Sequence, residues 1–511
     1  MRIPASPTFS RLLTERPTSA DMLRTLGDRS VSRASRRSRF VTVAAIVATS
    51  IMVQVVRSPA ELAAAVTPTA VAAGTQPAPN IVLIVTDDQR IGTLNALPAV
   101  RRLLGRQGTR FTHAIASNPL CCPSRATILT GRYSHGTGVY ANWGAAGGWP
   151  AFDGSGAESS TIATALDDAG YETGLFGKYM NRYPEAPSGY VPPGWDRWFV
   201  FAEENGAYYD YATFDNVRGV RQHGSAPEDY STDVIRRRAT SFIRNTPSST
   251  PFFAMITPYA PHDPATAAPR HEGTFADEPV AIGPGVSEDV SDKPSYIRRQ
   301  KRSDPARTVE RTRDQLETLS AVDDLVRQLA HVLRSSERLG ETLIIFTSDN
   351  GMLNGEHRWR TKVVPYEESI RVPLLIRFDG RVLADVVRGT LAANVDIAPT
   401  IADYAGVLLP DAEGRSLRSI LDGSSTQVRN AVLLEHLRFR GLPVPTYCGI
   451  RTRRFMYTRY ANGERELYDL AVDPNQLTDR SMSPSYRRER RSLEERLRQL
   501  CDPAPPGFSF P

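Results

Sequence analysis

Short apolar runs alternate with longer stretches of helical periodicity from residue 80 onward. Runs bounded by turn or polar residues predict buried strands at 81–86, 173–176, 252–257, 342–347 and 372–377. The helical pattern is clearest over residues 313–335, where one face carries Leu316, Leu319, Val322, Val326, Leu329 and Leu333. Strands that alternate with helices predict an α/β domain with a mostly parallel central sheet flanked by helices.

The pattern changes near residue 425, after which the apolar runs are short. Strands are predicted at 431–436, 447–451, 455–460 and 466–470, and Asn462-Gly463 is a typical hairpin turn between the last two. Ser483-Pro484 then begins a helix with Leu493, Leu497 and Leu500 on one side. We therefore expect one large domain over residues 80–425 and a small antiparallel α+β domain over 426–511. Residues 263–312 have weak periodicity and many Pro, Asp and Arg residues, and they are expected to form a long surface excursion.

Residues 1–79 differ in composition from the rest of the chain. Arginine-rich residues 33–39 precede an apolar run at 40–56, and small residues follow at 70–72. This order is typical of a signal peptide, with residues 57–79 as a linker. The apolar run is also close to the shortest length that spans a bilayer, so a retained membrane anchor is the alternative. Both interpretations predict an exported protein that is secreted, periplasmic or held at the cell surface.

Charge adds little to the assignment of function, with one exception. The net charge of +6 is a small surplus of 62 basic over 56 acidic residues, and no zinc-finger or RNA-binding motif accompanies it. We therefore expect no nucleic-acid partner. The exception is lysine, which occurs only at positions 178, 293, 301 and 362. Because arginine replaces lysine almost everywhere, a remaining lysine indicates a position that needs a compact ammonium group.

Polar residues that a fold alone does not require follow three of the predicted strands. Asp87-Asp88 follows the first strand, Ser-Asp-Asn-Gly at 348–351 follows the strand at 342–347, and His262 comes soon after the strand at 252–257. The carboxyl ends of parallel strands form the ligand site in open α/β sheets. Hard cations such as Ca²⁺ or Mg²⁺ prefer oxygen ligands and relieve the repulsion between adjacent carboxylates. Each acidic pair could instead cap a helix or turn, but their common position favours a shared metal site.

The most specific feature is Cys121-Cys122-Pro123-Ser124-Arg125, which continues to Leu129-Thr130-Gly131. This stretch resembles the signature C-x-P-S-R-x-x-x-L-T-G of the type I, formylglycine-dependent sulfatases. Further segments similar to that family follow in order: GYET at 170–173, GKY at 177–179, TPYAPH at 257–262, SDNG at 348–351, YEE at 366–368 and DIAPT at 396–400. Lys178 and Lys362 fall at the two positions where the family has a catalytic lysine.

The resemblance spans residues 80–475 and implies an alkaline-phosphatase-like fold and the hydrolysis of a sulfuric ester. It implies that a formylglycine-generating enzyme oxidises Cys121 to formylglycine, the nucleophile of the family. It also implies one divalent metal ion, expected to be Ca²⁺, with the ligands Asp87, Asp88, Cys121 in its modified form, Asp349 and Asn350. The catalytic residues carried over from the motifs are Cys121, Arg125, Lys178, His262 and Lys362. In these roles the two lysines face sulfate oxygens, and His262 protonates the leaving oxygen.

One position departs from the commonest form of the family. Many sulfatases have G-K-W-H, whereas Met180 occupies the histidine position here. GKYMN at 177–181 and the double cysteine are similar to the N-acetylglucosamine-6-sulfatase branch, which implies a sulfated sugar or glycan substrate. The departure leaves His135 and His357 as candidates for regenerating formylglycine. The alternative activity is that of a phosphonate or phosphate ester hydrolase of the same superfamily.

Cys448 and Cys501 are the two cysteines outside the signature. In an oxidising compartment they are available for a disulfide within the small C-terminal domain. Two free thiols are the alternative, and the sequence does not decide between them.

Overall fold

The structure is a computed structural model that describes residues 78–203 and 206–510. The predicted signal or anchor segment lies outside the described residues. Within them, fourteen strands form a ten-stranded sheet and a four-stranded sheet. The strands are β1 (Asn80–Thr86), β2 (Thr109–Ile115), β3 (Glu172–Gly177), β4 (Arg197–Phe201), β5 (Tyr211–Asp215), β6 (Gly219–His223), β7 (Phe252–Thr257), β8 (Thr342–Ser348), β9 (Arg371–Arg377), β10 (Val386–Ala393), β11 (Ala431–His436), β12 (Tyr447–Thr452), β13 (Phe455–Tyr460) and β14 (Arg465–Asp469).

Helices connect most of these strands. The longer ones are α1 (Cys121–Thr130), α2 (Gly148–Gly154), α3 (Ile162–Asp168), α4 (Ser231–Asn245), α5 (Pro305–Ser335), α6 (Ile397–Ala405) and α7 (Arg487–Leu500). Short helical turns occur at Pro98–Val100, Ser134–Thr137, Ser295–Arg298, Glu367–Ile370 and Arg418–Leu421. None of the helices within the described ranges combines the length and the hydropathy that a bilayer-spanning segment requires.

The large sheet is mostly parallel around its centre. Its spatial order is β10-β2-β9-β8-β1-β7-β3-β4-β5-β6. β1 lies in the middle and pairs in parallel with β8 on one side and β7 on the other, and β3 and β4 continue in parallel beyond β7. Antiparallel pairs occur further out, where β9 meets β8 and β2 and where β5 meets β4 and β6. The expected α/β fold with a mostly parallel central sheet is confirmed.

Alternate residues of β1 face two helical layers, because successive side chains of a strand point to opposite faces of the sheet. Ile81, Leu83 and Val85 lie in one apolar cluster with residues of α1, α3 and α6. Val82 and Ile84 lie in the other cluster with residues of α4 and α5. Every residue of β1 is buried, as expected for a strand that is covered on both faces.

Helix α5 is longer than its apolar periodicity predicts. It begins at Pro305, and Asp304 Oδ1 accepts a hydrogen bond from the Ala306 amide at 3.0 Å. Asp at the N-cap and Pro in the first turn are ordinary signals of a helix start. The first two turns are mostly exposed or half-buried, so they show no apolar repeat. The expected surface excursion over 263–312 is therefore wrong at its C-terminal end, and the largely irregular segment ends at residue 304.

The four-stranded sheet is antiparallel in the order β11-β12-β13-β14. Leu493 and Leu497 of α7 are buried in the apolar cluster that includes this sheet. Leu500, the last residue of α7, is exposed. Cys448 of β12 and Cys501, directly after α7, form a disulfide. The expected small antiparallel α+β domain is confirmed.

Candidate active site

The carboxyl ends of β1, β7 and β8 bring the predicted site residues together. In the parallel register, Thr86 of β1 lies opposite Ser348 of β8, so the residues that follow the two strands are neighbours. The amide of Asp88 donates to Asp349 Oδ1 at 3.1 Å, and the amide of Asp349 donates to the Thr86 carbonyl at 3.1 Å. On the other side of β1, β7 leads to His262. The topology of the sheet therefore gathers residues that are far apart in the sequence.

Three buried carboxylates form the centre of the site. Asp87, Asp88 and Asp349 have no exposed surface, and one oxygen of each lies within 4.8 Å of the others. The side-chain amide of Asn350 donates to Asp88 Oδ1 at 2.6 Å. Asp88 Oδ2 and Asn350 Oδ1 are buried and accept no hydrogen bond from the described residues. Converging carboxylate and amide oxygens are the donors that Ca²⁺ and Mg²⁺ prefer, so these four residues fit a hard divalent cation.

Two buried lysines lie beside the carboxylates. Lys178 Nζ contacts Asp87, and Lys362 Nζ contacts Asp88. Burial alone would raise the pKa of Asp87, but Lys178 and further nearby cations outweigh it and hold that pKa far below its ordinary value. Burial also opposes the charge of Lys178, yet Asp87 raises the pKa of this lysine above its ordinary value. Both partners of the Lys178–Asp87 pair are therefore charged at neutral pH.

Arg125 joins the carboxylates to the strand end of β3. Its Nε and Nη2 atoms each lie 2.9 Å from Asp349 Oδ2, and Nη2 lies 3.8 Å from Asp87 Oδ2. Its Nη1 donates to the carbonyl of Lys178 at 2.8 Å. Burial and the Asp87 carboxylate raise the pKa of Asp349 to about 6, and Arg125 opposes this rise. The guanidinium thus reduces the repulsion between the two carboxylates.

Cys121 is the first residue of α1 and lies at the centre of the cationic groups. Its Sγ is 2.8 Å from Lys362 Nζ, 3.6 Å from Lys178 Nζ and 3.5 Å from Asp87 Oδ1. Burial, and after it the Asp87 carboxylate, raise the pKa of the thiol to about 12. Because the thiolate is the reactive form of cysteine, the unmodified side chain is a poor nucleophile at this position.

Cys122 points away from this centre. Its Sγ accepts a hydrogen bond from the Asn181 amide at 3.2 Å and lies 3.3 Å from Asn181 Oδ1. It is fully buried and belongs to one of the two main apolar clusters. The two adjacent cysteines therefore have different surroundings, and only Cys121 faces the carboxylates and lysines.

His262 lies at the edge of the site. Its Nδ1 is 2.8 Å from the Asp263 carbonyl, which can only accept a hydrogen bond, so Nδ1 carries a proton. This leaves Nε2 directed towards the site, 3.6 Å from Asp88 Oδ2. The imidazole side chain is 26% exposed, whereas the carboxylates are buried. His262 is therefore the predicted site residue that an entering ligand would meet first.

The structure does not bring His135 or His357 to this site. The two ring nitrogens of His135 lie 2.8 Å from Glu435 and 2.7 Å from Glu413. These contacts, against the effect of burial, raise the pKa of His135 to about 10. His357 Nδ1 lies 2.6 Å from Glu288, and its ring stacks on Tyr366. The hypothesis that either histidine regenerates formylglycine therefore has no support from their positions.

Sequence reasoning missed the side chain that supports His262 and Lys178. The ring of Tyr259 lies 4.7 Å from the ring of His262 between centroids, and 5.6 Å from Lys178 Nζ. The Tyr259 hydroxyl donates to the Asp263 carbonyl at 2.8 Å. Tyr259 lies inside the TPYAPH segment, but the sequence alone does not show that its ring lies between these two residues.

Fold and site together define a hydrolase of the alkaline-phosphatase-like class, in which the catalytic groups lie at the carboxyl edge of such a sheet. The sulfatase family model matches residues 79–407, and a model described as N-sulphoglucosamine sulphohydrolase, C-terminal, matches residues 355–502. The chain belongs to the sulfatase family, and the protein is a sulfuric ester hydrolase.

Named relatives and a solved structure agree with this family. The human N-acetylglucosamine-6-sulfatase is 33% identical over 459 residues, which are 80% of this chain and 82% of the human protein. The extracellular sulfatase SULF-1 homolog of Drosophila melanogaster is 33% identical over 69% of this chain, which spans only 32% of that longer protein. A solved complex of a protein with its substrate D-glucosamine-2-N,6-O-disulfate has a TM-score of 0.73 at 26% identity, covering 83% of this chain and 98% of that one.

Proposed function

We propose that this sulfatase removes the 6-O-sulfate group from a glucosamine residue of a glycan. The observation that carries the proposal is the position of Cys121 between Lys178 and Lys362, beside the carboxylate cluster. A sulfate ester is an anionic tetrahedral group, and two ammonium groups next to the reacting residue can donate to its oxygens. The glucosamine part rests on the human relative and on the substrate of the solved complex.

The nucleophile we propose is formylglycine at position 121, made by a formylglycine-generating enzyme. In the balanced change, the CH₂SH group and one water become an aldehyde and hydrogen sulfide. Two electrons and two protons are released to the oxidant of the maturation enzyme. Burial of the Cys121 thiol and its raised pKa support the need for this change, because the thiol itself would rarely ionise.

Two groups supply chemistry that the unmodified side chains lack. A divalent cation, which we propose is Ca²⁺ held by Asp87, Asp88, Asp349 and Asn350 with residue 121, would polarise sulfate oxygens as a Lewis acid. The hydrate of formylglycine has one hydroxyl for attack on sulfur and a second whose deprotonation releases sulfate.

Lys178 and Lys362 bind and orient the sulfate group in this proposal. Both ammonium groups lie next to Cys121 Sγ, so each can donate to a sulfate oxygen once the ester occupies the site. Arg125 does not face the substrate directly. It holds Asp349 through two nitrogens and the carbonyl of Lys178 through a third, so it fixes the positions of a carboxylate and of a lysine.

In this proposal the imidazolium form of His262 protonates the leaving alcohol. Because Nδ1 keeps its own proton, Nε2 must take up a second proton before the step, and burial opposes this by lowering the pKa of His262. An unactivated sugar alcohol leaves poorly as an alkoxide, so a proton donor at the leaving oxygen lowers the barrier. Nε2 is directed into the site while Nδ1 is held by the Asp263 carbonyl, and the ring is the most exposed of the proposed catalytic side chains. The ring is therefore placed where the leaving group would emerge.

We also propose that the protein is exported. The composition of residues 33–72 is that of a signal peptide or anchor. The pairing of Cys448 with Cys501 fits an oxidising compartment, where disulfides persist.

The experiment that tests the function compares substrates on protein co-expressed with a formylglycine-generating enzyme. The kcat/KM should be highest for glucosamine 6-O-sulfate, lower for galactose 6-O-sulfate, and negligible for a phenyl phosphonate monoester. Cys121→Ala protein is the control for contaminating sulfatases. Preference for the phosphonate would support the alternative hydrolase activity, and equal rates on both sugars would refute the glucosamine assignment.

A further inference from the structure

A cleft of about 680 Å³ lies beside the segment that carries Lys362. Three separate parts of the chain line it: residues 299–302 of the long excursion, residues 358–361, and residues 441–443 of the loop between β11 and β12. The C-terminal domain thus contributes one wall and the large domain the other two. A cleft of this size can hold a sugar residue with its substituents.

The charged residues of this cleft are all cations. They are Arg299, Lys301, Arg302, Arg358 and Arg360, and no carboxylate lines the cleft. None of the five forms an ion pair with a described carboxylate, whereas many arginines elsewhere do. Arg358 is nevertheless close enough to Asp289 to help lower the pKa of that carboxyl. Like charges brought together with few counter-charges repel each other. An arrangement of this kind indicates a surface that binds an anionic ligand.

One of these arginines has unused hydrogen-bonding capacity in a restricted position. Arg358 is half-buried, and its Nε is buried without a hydrogen-bond acceptor among the described residues. Its backbone has a φ of 56°, a conformation that residues other than glycine rarely adopt. Lys301, Arg302 and Arg360 are exposed and can reach into the cleft from its sides. The guanidinium groups are suited to sulfate or carboxylate groups, which they bind through two nitrogens.

One chain segment belongs to both the cleft and the active site. Thr361 lines the cleft and precedes Lys362, whose ammonium lies 2.8 Å from Cys121 Sγ. The indole of Trp359, which also lines the cleft, donates to the Lys362 carbonyl at 2.9 Å. Residues 359–362 therefore form a wall of the cleft at one end and supply an ammonium group to the active site at the other.

We propose that the cleft binds anionic groups on sugar residues adjacent to the one that is desulfated. The substrate class is then a glycan with several sulfate or carboxylate groups, and a lone sulfated sugar is the poorer substrate. This inference rests on the proposed glucosamine 6-O-sulfatase activity, because it concerns the chain that carries the scissile residue. The cleft acts as a subsite for substrate binding and takes no part in the chemistry.

The test compares two substrates and two variants. The substrates are glucosamine 6-O-sulfate and a glucosamine-containing oligosaccharide with additional sulfate groups. The cleft variant combines Lys301→Gln, Arg302→Gln and Arg360→Gln. The matched control combines Arg487→Gln, Arg488→Gln and Arg491→Gln, and it removes three exposed cations of α7 that form no ion pair. The cleft variant should lower the ratio of kcat/KM for oligosaccharide over monosaccharide by about tenfold, and added salt should reduce this effect. The control should leave the ratio as in the wild type.

Two results would refute the proposed role of the cleft. An unchanged ratio in the cleft variant, with the monosaccharide still cleaved, refutes the subsite and leaves the proposed function standing. If no sulfated sugar is cleaved, the proposed function fails, and calorimetry with the same oligosaccharide still tests whether the cleft variant binds about tenfold more weakly. Equal affinity of both proteins then refutes the cleft. Competition by a single-stranded DNA of equal charge, as strong as by the oligosaccharide, would refute specificity for a glycan.

Discussion

The ammonium of Lys362 lies 2.8 Å from Cys121 Sγ, although the two residues are 241 positions apart in the sequence. The same ammonium contacts the carboxylate of Asp88. Lys362 therefore connects the residue that we propose is the nucleophile to the proposed metal ligands. Its side chain is almost completely buried, so this arrangement is held by packing and does not depend on a mobile surface side chain.

Replacement of Lys362 should abolish most of the activity. Lys362→Met keeps the length of the side chain but removes the donor, so we expect kcat to fall by about 10²–10³-fold, as when a transition-state donor is lost. Lys362→Arg should restore little, since a planar guanidinium does not fit the place of a compact ammonium. Steady-state kinetics with glucosamine 6-O-sulfate measure both, and circular dichroism checks the fold. Activity of Lys362→Met near that of the wild type would contradict the role.

Oxidation to formylglycine should occur at Cys121 and leave Cys122 unchanged. Cys121 stands two positions before Pro123 in the signature, and its side chain faces the lysines, whereas Cys122 is held by Asn181. Peptide mass spectrometry should show a loss of about 18 Da at residue 121. Cys122→Ala should still be modified, and Cys121→Ala should be inactive. Active enzyme in which Cys121 is fully a thiol would refute the mechanism.

Much of the fold could be predicted because the central strands are buried on both faces. β1, β7, β8 and β9 are nearly continuous apolar runs, and such runs are visible in one sequence. Strands such as β6, with four of its five residues exposed, have no apolar pattern to detect. The exposed start of α5 was missed for the same reason.

The candidate site divides in a similar way. The short motifs identified residues that directly follow strands, such as Asp87 and Asp349, because the end of an apolar run is visible in the local sequence. The ring position of Tyr259 and the carboxylate partners of His135 depend on packing between distant segments. The cationic cleft could not be predicted, because arginines are common throughout the chain and only the fold shows which of them lack an acidic partner.

Loss of the Asp349 charge should weaken metal binding. Asp349→Asn keeps the shape but removes a negative charge from the proposed ligand set and from the pair with Arg125, so activity should fall by at least about 100-fold. In the wild type, added Ca²⁺ should raise the melting temperature, because a ligand that binds only the folded state stabilises it. This rise should be much smaller in Asp349→Asn. An equal rise in both proteins would show that the cation binds elsewhere.

Removal of the disulfide should destabilise the protein without affecting catalysis. Cys448 and Cys501 are separated by 53 residues, and the chain-entropy model gives about 4 kcal/mol for a loop of this length. The double variant Cys448→Ser, Cys501→Ser should therefore have a lower free energy of unfolding in urea. Its kcat at low temperature should remain that of the wild type, since neither cysteine is part of the proposed active site. Unchanged stability would mean that the bridge does not form in the purified protein.

The contribution of His262 to the rate should depend on the leaving group. A sugar alcohol is a poor leaving group and needs a proton, whereas an activated aryl sulfate such as p-nitrophenyl sulfate releases a stable phenolate without help. His262→Ala should therefore reduce kcat for glucosamine 6-O-sulfate by about 10²-fold or more, while turnover of the aryl sulfate falls much less. His262→Gln, which keeps a hydrogen-bonding side chain but cannot act as an acid, should behave like His262→Ala.

Across a series of aryl sulfates, the rate of either variant should depend more steeply on the pKa of the leaving phenol than the rate of the wild type. An equal loss on sugar and aryl substrates would instead assign His262 to binding, through its position beside Asp88 at 3.6 Å.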